Sequence, residues 1–231
     1  MNLKSLFGRS KRVGMRPLPF LASFLIVIVG ISVATGDKAS THVTAISIVG
    51  AIALLATYGV WVFDYIRSDE KPDVVQAEPR LSLTFAIVLL TAAGIGAAFV
   101  SDWFIDALSP AMAQIGVPKE FAGLVIVAIA GNAVENATGV VLALKGDSDL
   151  AISVVKNSVA QITAFLFPAL VLVSLFFENS LTFELAPVYI GALALTAIAL
   201  WQITGDGEAT RFEGVALISL YVILAVVAWY E

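Results

Sequence analysis

The chain has 231 residues, of which 59% are hydrophobic and 13% charged, and its mean hydropathy is +0.95; this excludes a soluble globular core and describes a polytopic membrane protein. A net charge of −5 leaves no basic face for nucleic acid, and without cysteine there is neither a disulfide nor thiol chemistry. With His42 the sole histidine, neither a His-based zinc site nor a Ser-His triad is expected, and the chain is read as neither an enzyme nor the holder of a bound cofactor.

In chain order, Met1 to Arg16 carries Lys4, Arg9, Lys11, Arg12 and Arg16 and no acid, as a cytoplasmic flank does. Pro17 to Thr35 is apolar and ends near Ser32-Val33-Ala34, which imitates a signal-peptide cleavage site. The run exceeds the usual apolar core of ~7–15 residues, so a retained first span is expected. Val43 to Phe63 forms a second uncharged span. Both read as packing or lipid-facing helices. Asp64 to Arg80, with Pro72 and Pro79 among its charges, is the main linker, too polar to fold alone. It reads as a solvated cytoplasmic connector, with a cation-gathering loop as the alternative. The domain boundary is therefore placed at residue 80: 1–80 holds two helices and the acidic linker, and 81–231 holds five helices. The third span is predicted over Leu83 to Val100, with Gly94 and Gly96 for close packing. Ser101 to Glu120, with Asp102, Trp103, Asp106, Pro110 and Pro118, is predicted to be interfacial.

Phe121 to Leu144 is an apolar run whose one charge, Glu135, lies ~4 Å past its midpoint at ~1.5 Å rise per residue. An ionisable side chain at mid-membrane costs roughly 2.5–3.5 kcal/mol on insertion scales, so it marks a functional site. Helical spacing puts Asn132 and Gly139 beside it, with Gly131 four residues before. The glycines admit a neighbouring backbone or a break in the helix, and amide, carboxylate and carbonyl oxygens suit a hard cation. The alternative is a helix-packing stripe in which Glu135 only hydrogen-bonds between helices.

Lys145-Gly146-Asp147-Ser148-Asp149 follows as a tight turn, with Ser148 or Asp149 predicted to cap the next helix and make an antiparallel pair. The span Leu150 to Phe177 places Asn157, Gln161 and Ala164 on one face with Ser158 at its edge, positioned to meet Glu135. Lys156 lies roughly 140° around the helix from Gln161, which favours a stem reaching for the interface over a counter-ion for Glu135. The spans Leu185 to Ile203 and Gly214 to Tyr230, joined through Gly205-Asp206-Gly207-Glu208, carry no internal charge and are expected to pack the bundle. The Gly205-Asp206 pair lacks the preceding glycine of an aspartyl protease motif. The sequon Asn136-Ala137-Thr138 lies inside a span, where glycosyl transfer cannot reach.

Gly131-Asn132-Ala133-Val134-Glu135-Asn136, then a polar turn, then Ser158-Val159-Ala160-Gln161 with Pro168 behind, resembles the second ion-binding repeat of the calcium/proton (cation/proton) exchangers of the calcium/cation antiporter superfamily. The resemblance runs from about Leu81 to Glu231. It departs at Asn136, where that family usually has His, and at Asn157, Ser158 and Val159, where it has Gly-Ser-Ser before the Gln. It also implies an earlier inverted copy of the motif, and none precedes Leu81.

What the resemblance implies is an all-α, polytopic transmembrane bundle of about seven spans, the last five forming one exchanger repeat. The implied function is a cation/proton antiporter, or a half-size subunit of one, in which Glu135 alternately holds a cation and a proton. Asn132, Asn136, Ser158 and Gln161 would complete the metal site. Ca2+ is the first candidate for the transported cation, and Na+ is left open by Asn136. The alternative is a non-transporting membrane subunit or a relic of one repeat. The partners expected are the lipid bilayer, the cation and proton, and either a separately encoded first repeat or a second copy of the chain. With the amino terminus inside, Arg67, Lys71, Arg80, Lys145 and Arg211 join the five basic residues of the flank on the cytoplasmic side, against Lys38 and Lys119 outside. A plasma (inner) membrane protein with an external carboxyl terminus is expected.

Overall fold

In lipid every backbone N–H and C=O must find its partner within its own segment, so the apolar runs of this sequence are dictated to be helices. The computed structural model describes residues 17–67, 81–203 and 210–231. The basic flank 1–16, most of the acidic linker and the Gly205–Glu208 connection lie outside the described residues. Among the described residues the regular structure is helical throughout: α1 (Pro17–Thr35), α2 (Val43–Arg67), α3 (Leu83–Ile115), α4 (Lys119–Gly131), α5 (Ala133–Leu144), α6 (148–174), α7 (Pro187–Ile203) and α8 (Arg211–Trp229). Of these, α1, α2, α3, α6 and α8 are long and apolar enough to cross a membrane, α4 and α5 together make a sixth, and α7 is a shorter apolar helix.

Contacts divide the chain into two units, 1–67 with 132–220, and 68–131 with 221–231. In the first unit, small residues set the helix spacing. A Cβ on Gly30 would collide with Ile190 of α7, and one on Gly50 with Leu25 of α1, so glycine is what permits these approaches. Ala22 and Val29 of α1, Ala51 and Leu54 of α2, Val171 of α6 and Phe183 form one buried cluster. The first helix thus contributes to the core.

Phe183 lies on the connection between α6 and α7, which dips into this core. Irregular backbone at such depth needs partners, and two serines supply them. The Phe183 N–H donates to the buried Ser47 Oγ at 3.0 Å, and the Leu181 N–H donates to Ser174 Oγ at 2.8 Å. The Phe183 ring meets Phe167 edge-on at 5.1 Å. Within α6, residues Ile162–Leu166 form a wide π turn just ahead of Pro168. Proline lacks an N–H and its ring crowds the carbonyl four residues back, that of Ala164, so a locally widened helix relieves the clash.

In the second unit, α3 corrects the sequence reading: the span predicted to stop at Val100 continues as helix to Ile115, through most of the stretch predicted to be interfacial. Polarity there marks the membrane edge and not the helix end, because nothing in Ser101 to Ser109 breaks a helix. Pro110 is tolerated, the Ser109 hydroxyl donates to the Ile105 carbonyl at 2.9 Å, and α3 stops only at Gly116, whose φ of 71° suits glycine. α4 then starts after Pro118 and contains the other π turn, Ala122–Val127, which is the first in chain order and in which the Ala128 N–H donates to the Gly123 carbonyl five residues back. The last turns of α8 lie against it: Ala122 and Ala228 are both buried, Phe121 meets Trp229 edge-on at 5.0 Å, and the Tyr221 hydroxyl donates to the Leu124 carbonyl at 3.2 Å.

Candidate functional site

The apolar run predicted as one central helix is interrupted at Asn132. α4 ends at Gly131, Asn132 has φ −107° and ψ 23°, outside the helical range, and α5 begins at Ala133. Gly131 and Asn132 are both weak helix formers, which explains why the break falls there. The Asn132 carbonyl starts the new helix by accepting from the Asn136 N–H at 2.9 Å. Glu135 therefore sits in the first turn of α5, where free N–H groups and the positive end of the helix dipole favour a carboxylate.

One stripe of α5 is packed and the rest is open: Asn132, Glu135, Gly139 and Leu142 are half-buried, while Val134, Asn136, Thr138 and Val140 are exposed. The polar stripe expected from helical spacing is thus the face turned to the protein. Its neighbour is α6, reached through the tight turn at Gly146, whose φ of 88° is left-handed. Gly139 is a point of contact between them, since a Cβ there would meet Val155 Cγ2 at 3.6 Å. Carrying that contact along both helices at about 1.5 Å per residue brings Glu135 level with Ser158 and Val159, and Asn132 level with Gln161 and Ile162.

Of the predicted oxygen donors on α6, Ser158 is half-buried on the stripe that includes Ala151 and Val154, whereas Asn157 and Gln161 are exposed. Glu135, Asn132 and Ser158 are thus half-buried, whereas Asn136 and Gln161 lie on open faces. The face proposed for Asn157, Gln161 and Ala164 is split, because Ala160, Ala164, Pro168 and Val171 are claimed by the core. The cap of α6 also needs correction: it is Asp147, one residue before the predicted Ser148 or Asp149, and its side chain makes no capping hydrogen bond. Lys156 is exposed and forms no ion pair with Glu135. Among the described residues no three His, Asp or Glu side chains converge to hold a metal. The sequence reading missed Tyr221, although a tyrosine in the middle of an apolar span must find a partner for its hydroxyl.

A model of the family described as sodium/calcium exchanger protein matches residues 85–230. The chain belongs to this family. The exchanger match covers α3 to α8 and includes the interrupted helix and its hairpin partner. The chain is 33% identical over 151 residues to the Ca2+/H+ antiporter ChaA of Bacillus subtilis, covering 65% of this chain and 43% of that protein. It is 28% identical over 201 residues to a vacuolar calcium ion transporter of Schizosaccharomyces pombe, covering 85% and 49%. The solved structure of native YfkE matches with a TM-score of 0.73 at 26% identity over 96% of this chain and 65% of that one. Another YfkE structure, titled as that of a Ca2+/H+ antiporter protein, gives the same score at 25% identity. The structural likeness thus extends beyond the family match to α1 and α2. This exchanger-family chain, a multi-pass integral membrane protein, spans less than half the length of these two curated relatives.

Proposed function

We propose that the chain is a half-size subunit of a cation/proton antiporter, with Ca2+ as the transported ion. The observation that carries this is Glu135 in the first turn after a helix break, half-buried and level with Ser158, in a chain whose relatives are named Ca2+/H+ antiporters. One carboxylate serves both substrates: a proton and a cation compete for the same oxygens, so release of one accompanies uptake of the other. Asn132 and Ser158 supply neutral oxygens along the seam between α5 and α6, and Asn136 and Gln161 join from the open side when the site is completed.

Ca2+ takes about 6–8 oxygens and usually more than one carboxylate, whereas among the described residues no cluster of three carboxylate or imidazole ligands forms around Glu135, so a second contributor is proposed. Transporters of this architecture place their ion sites where two inverted repeats meet, and the partner is proposed to be a separately encoded first repeat. The asymmetry of its Lys and Arg supports a partner other than an oppositely inserted copy, because it opposes insertion in both orientations. The functional division is placed at residue 80, with 81–231 as the exchanger repeat; the start of the family match at residue 85 supports it. The membrane is proposed to be the plasma membrane, with the amino terminus in the cytoplasm.

The test is reconstitution. The chain is purified alone, its mass in detergent is measured, and it is assayed in proteoliposomes for Ca2+-driven proton movement, with Na+ as comparison. Exchange is expected only when the first-repeat subunit is added. Robust exchange by the monomer would remove the need for a partner, and no exchange with any partner supplied would favour a non-transporting subunit.

A further inference from the structure

We propose that Tyr221 is a positioning residue for the cation site, acting as a latch on the π turn of α4. This rests on the antiporter reading of Glu135 and adds to it the element that fixes how the chain arrives at the break. The π turn Ala122–Val127 ends four residues before Gly131, with only Ala128–Gly131 as α-helix between it and the break. A π turn holds one residue more than the α-helix it interrupts, and it is costly to keep without help. Here the help comes from α8. The Tyr221 hydroxyl reaches the Leu124 carbonyl inside the π turn at 3.2 Å, the buried Ala122 and Ala228 allow close approach, and Trp229 holds Phe121 edge-on at the turn's beginning.

Rewinding that turn to α geometry would rotate the residues that follow by about 100° and shift them by about 1.5 Å, since both are set by one residue of helix. The residues that follow are Ala128–Gly131, so the register in which Gly131 enters the break at Asn132 depends on whether the π turn is held. Tyr221 touches neither the cation nor Glu135. Its contribution is to keep one of two registers.

The chain has no cysteine, so two can be introduced without background. Spin labels at Ile129 and Val226, both exposed and both in the second unit, report the register of α4 against α8 in the full chain. Labels on otherwise unchanged protein should give one narrow distance distribution, and Tyr221→Phe, which removes only the hydroxyl, should add a second population. In proteoliposomes with the partner present, Tyr221→Phe should raise the half-saturating Ca2+ concentration about 2- to 10-fold while the maximal rate stays within about twofold. An unchanged distance distribution in Tyr221→Phe overturns the latch whatever the fluxes do. A changed distribution with unchanged half-saturation overturns its link to the cation site. If the distribution changes while the unsubstituted protein exchanges nothing, the antiporter reading fails and the latch stands.

Discussion

Glu135 combines a carboxylate, a half-buried position and the first turn of a helix that starts inside an apolar run. Glu135→Gln is nearly isosteric and cannot exchange a proton, so this variant should insert and fold as before while its cation-dependent proton flux falls to background. Flux at the unsubstituted rate in purified Glu135→Gln would move the site elsewhere. Lys156→Met should leave the flux and its pH dependence unchanged, because Lys156 is exposed and unpaired with Glu135; a displaced pH profile would make it a counter-ion after all. Glu135 was legible in the sequence because its signal is local, a charge in an apolar run. Ser47 and Tyr221 were not, because their meaning lies in partners 136 and 97 positions away. The split between Ser158 and Gln161 was hidden for a related reason: helical spacing gives a face but not which face the core claims.

At the scale of elements, the core connection between α6 and α7 hangs on Ser47 and Ser174. Ser47→Ala leaves the Phe183 N–H buried without an acceptor and should cost about 1–3 kcal/mol, measurable by equilibrium unfolding in detergent. An unchanged unfolding midpoint would mean that this backbone finds another partner. Gly30→Leu should cost a comparable amount, because it drives α1 and α7 apart and overpacking of a tight contact typically costs about 1–3 kcal/mol; a lowered unfolding midpoint is the expected readout. Both π turns are braced from another helix, the first by Tyr221 and the second by Tyr58 of α2, which stacks on Phe165 at 5.3 Å. Pro168 announces the second turn in the sequence, whereas no residue announces the first. The helices themselves were legible from hydropathy. The end of α3 was not, since hydropathy falls at the membrane surface and a helix can continue past it.

For the whole molecule, if the shorter α7 also crosses, the seven spans expected from the sequence and the asymmetry of Lys and Arg predict a carboxyl terminus outside the cytoplasm. A reporter active only in the cytoplasm, fused after Glu231, is therefore expected to be silent, and activity there would change the span count by one. The family was legible from one motif and its hairpin, whereas the proposed partner rests on counting carboxylates. The length of α3 has a consequence for the membrane around the protein. Its 33 residues extend about 50 Å against a hydrocarbon core of about 30 Å, and its apolar part, Leu83 to Val100, comes close to filling that core. Asp102 and Trp103 are where the bilayer surface is expected to cross α3, partway along its length. A thicker or thinner bilayer can be met by wetting fewer or more turns of α3, or by tilting it, so acyl-chain length becomes a variable to which this chain adapts without unfolding any helix.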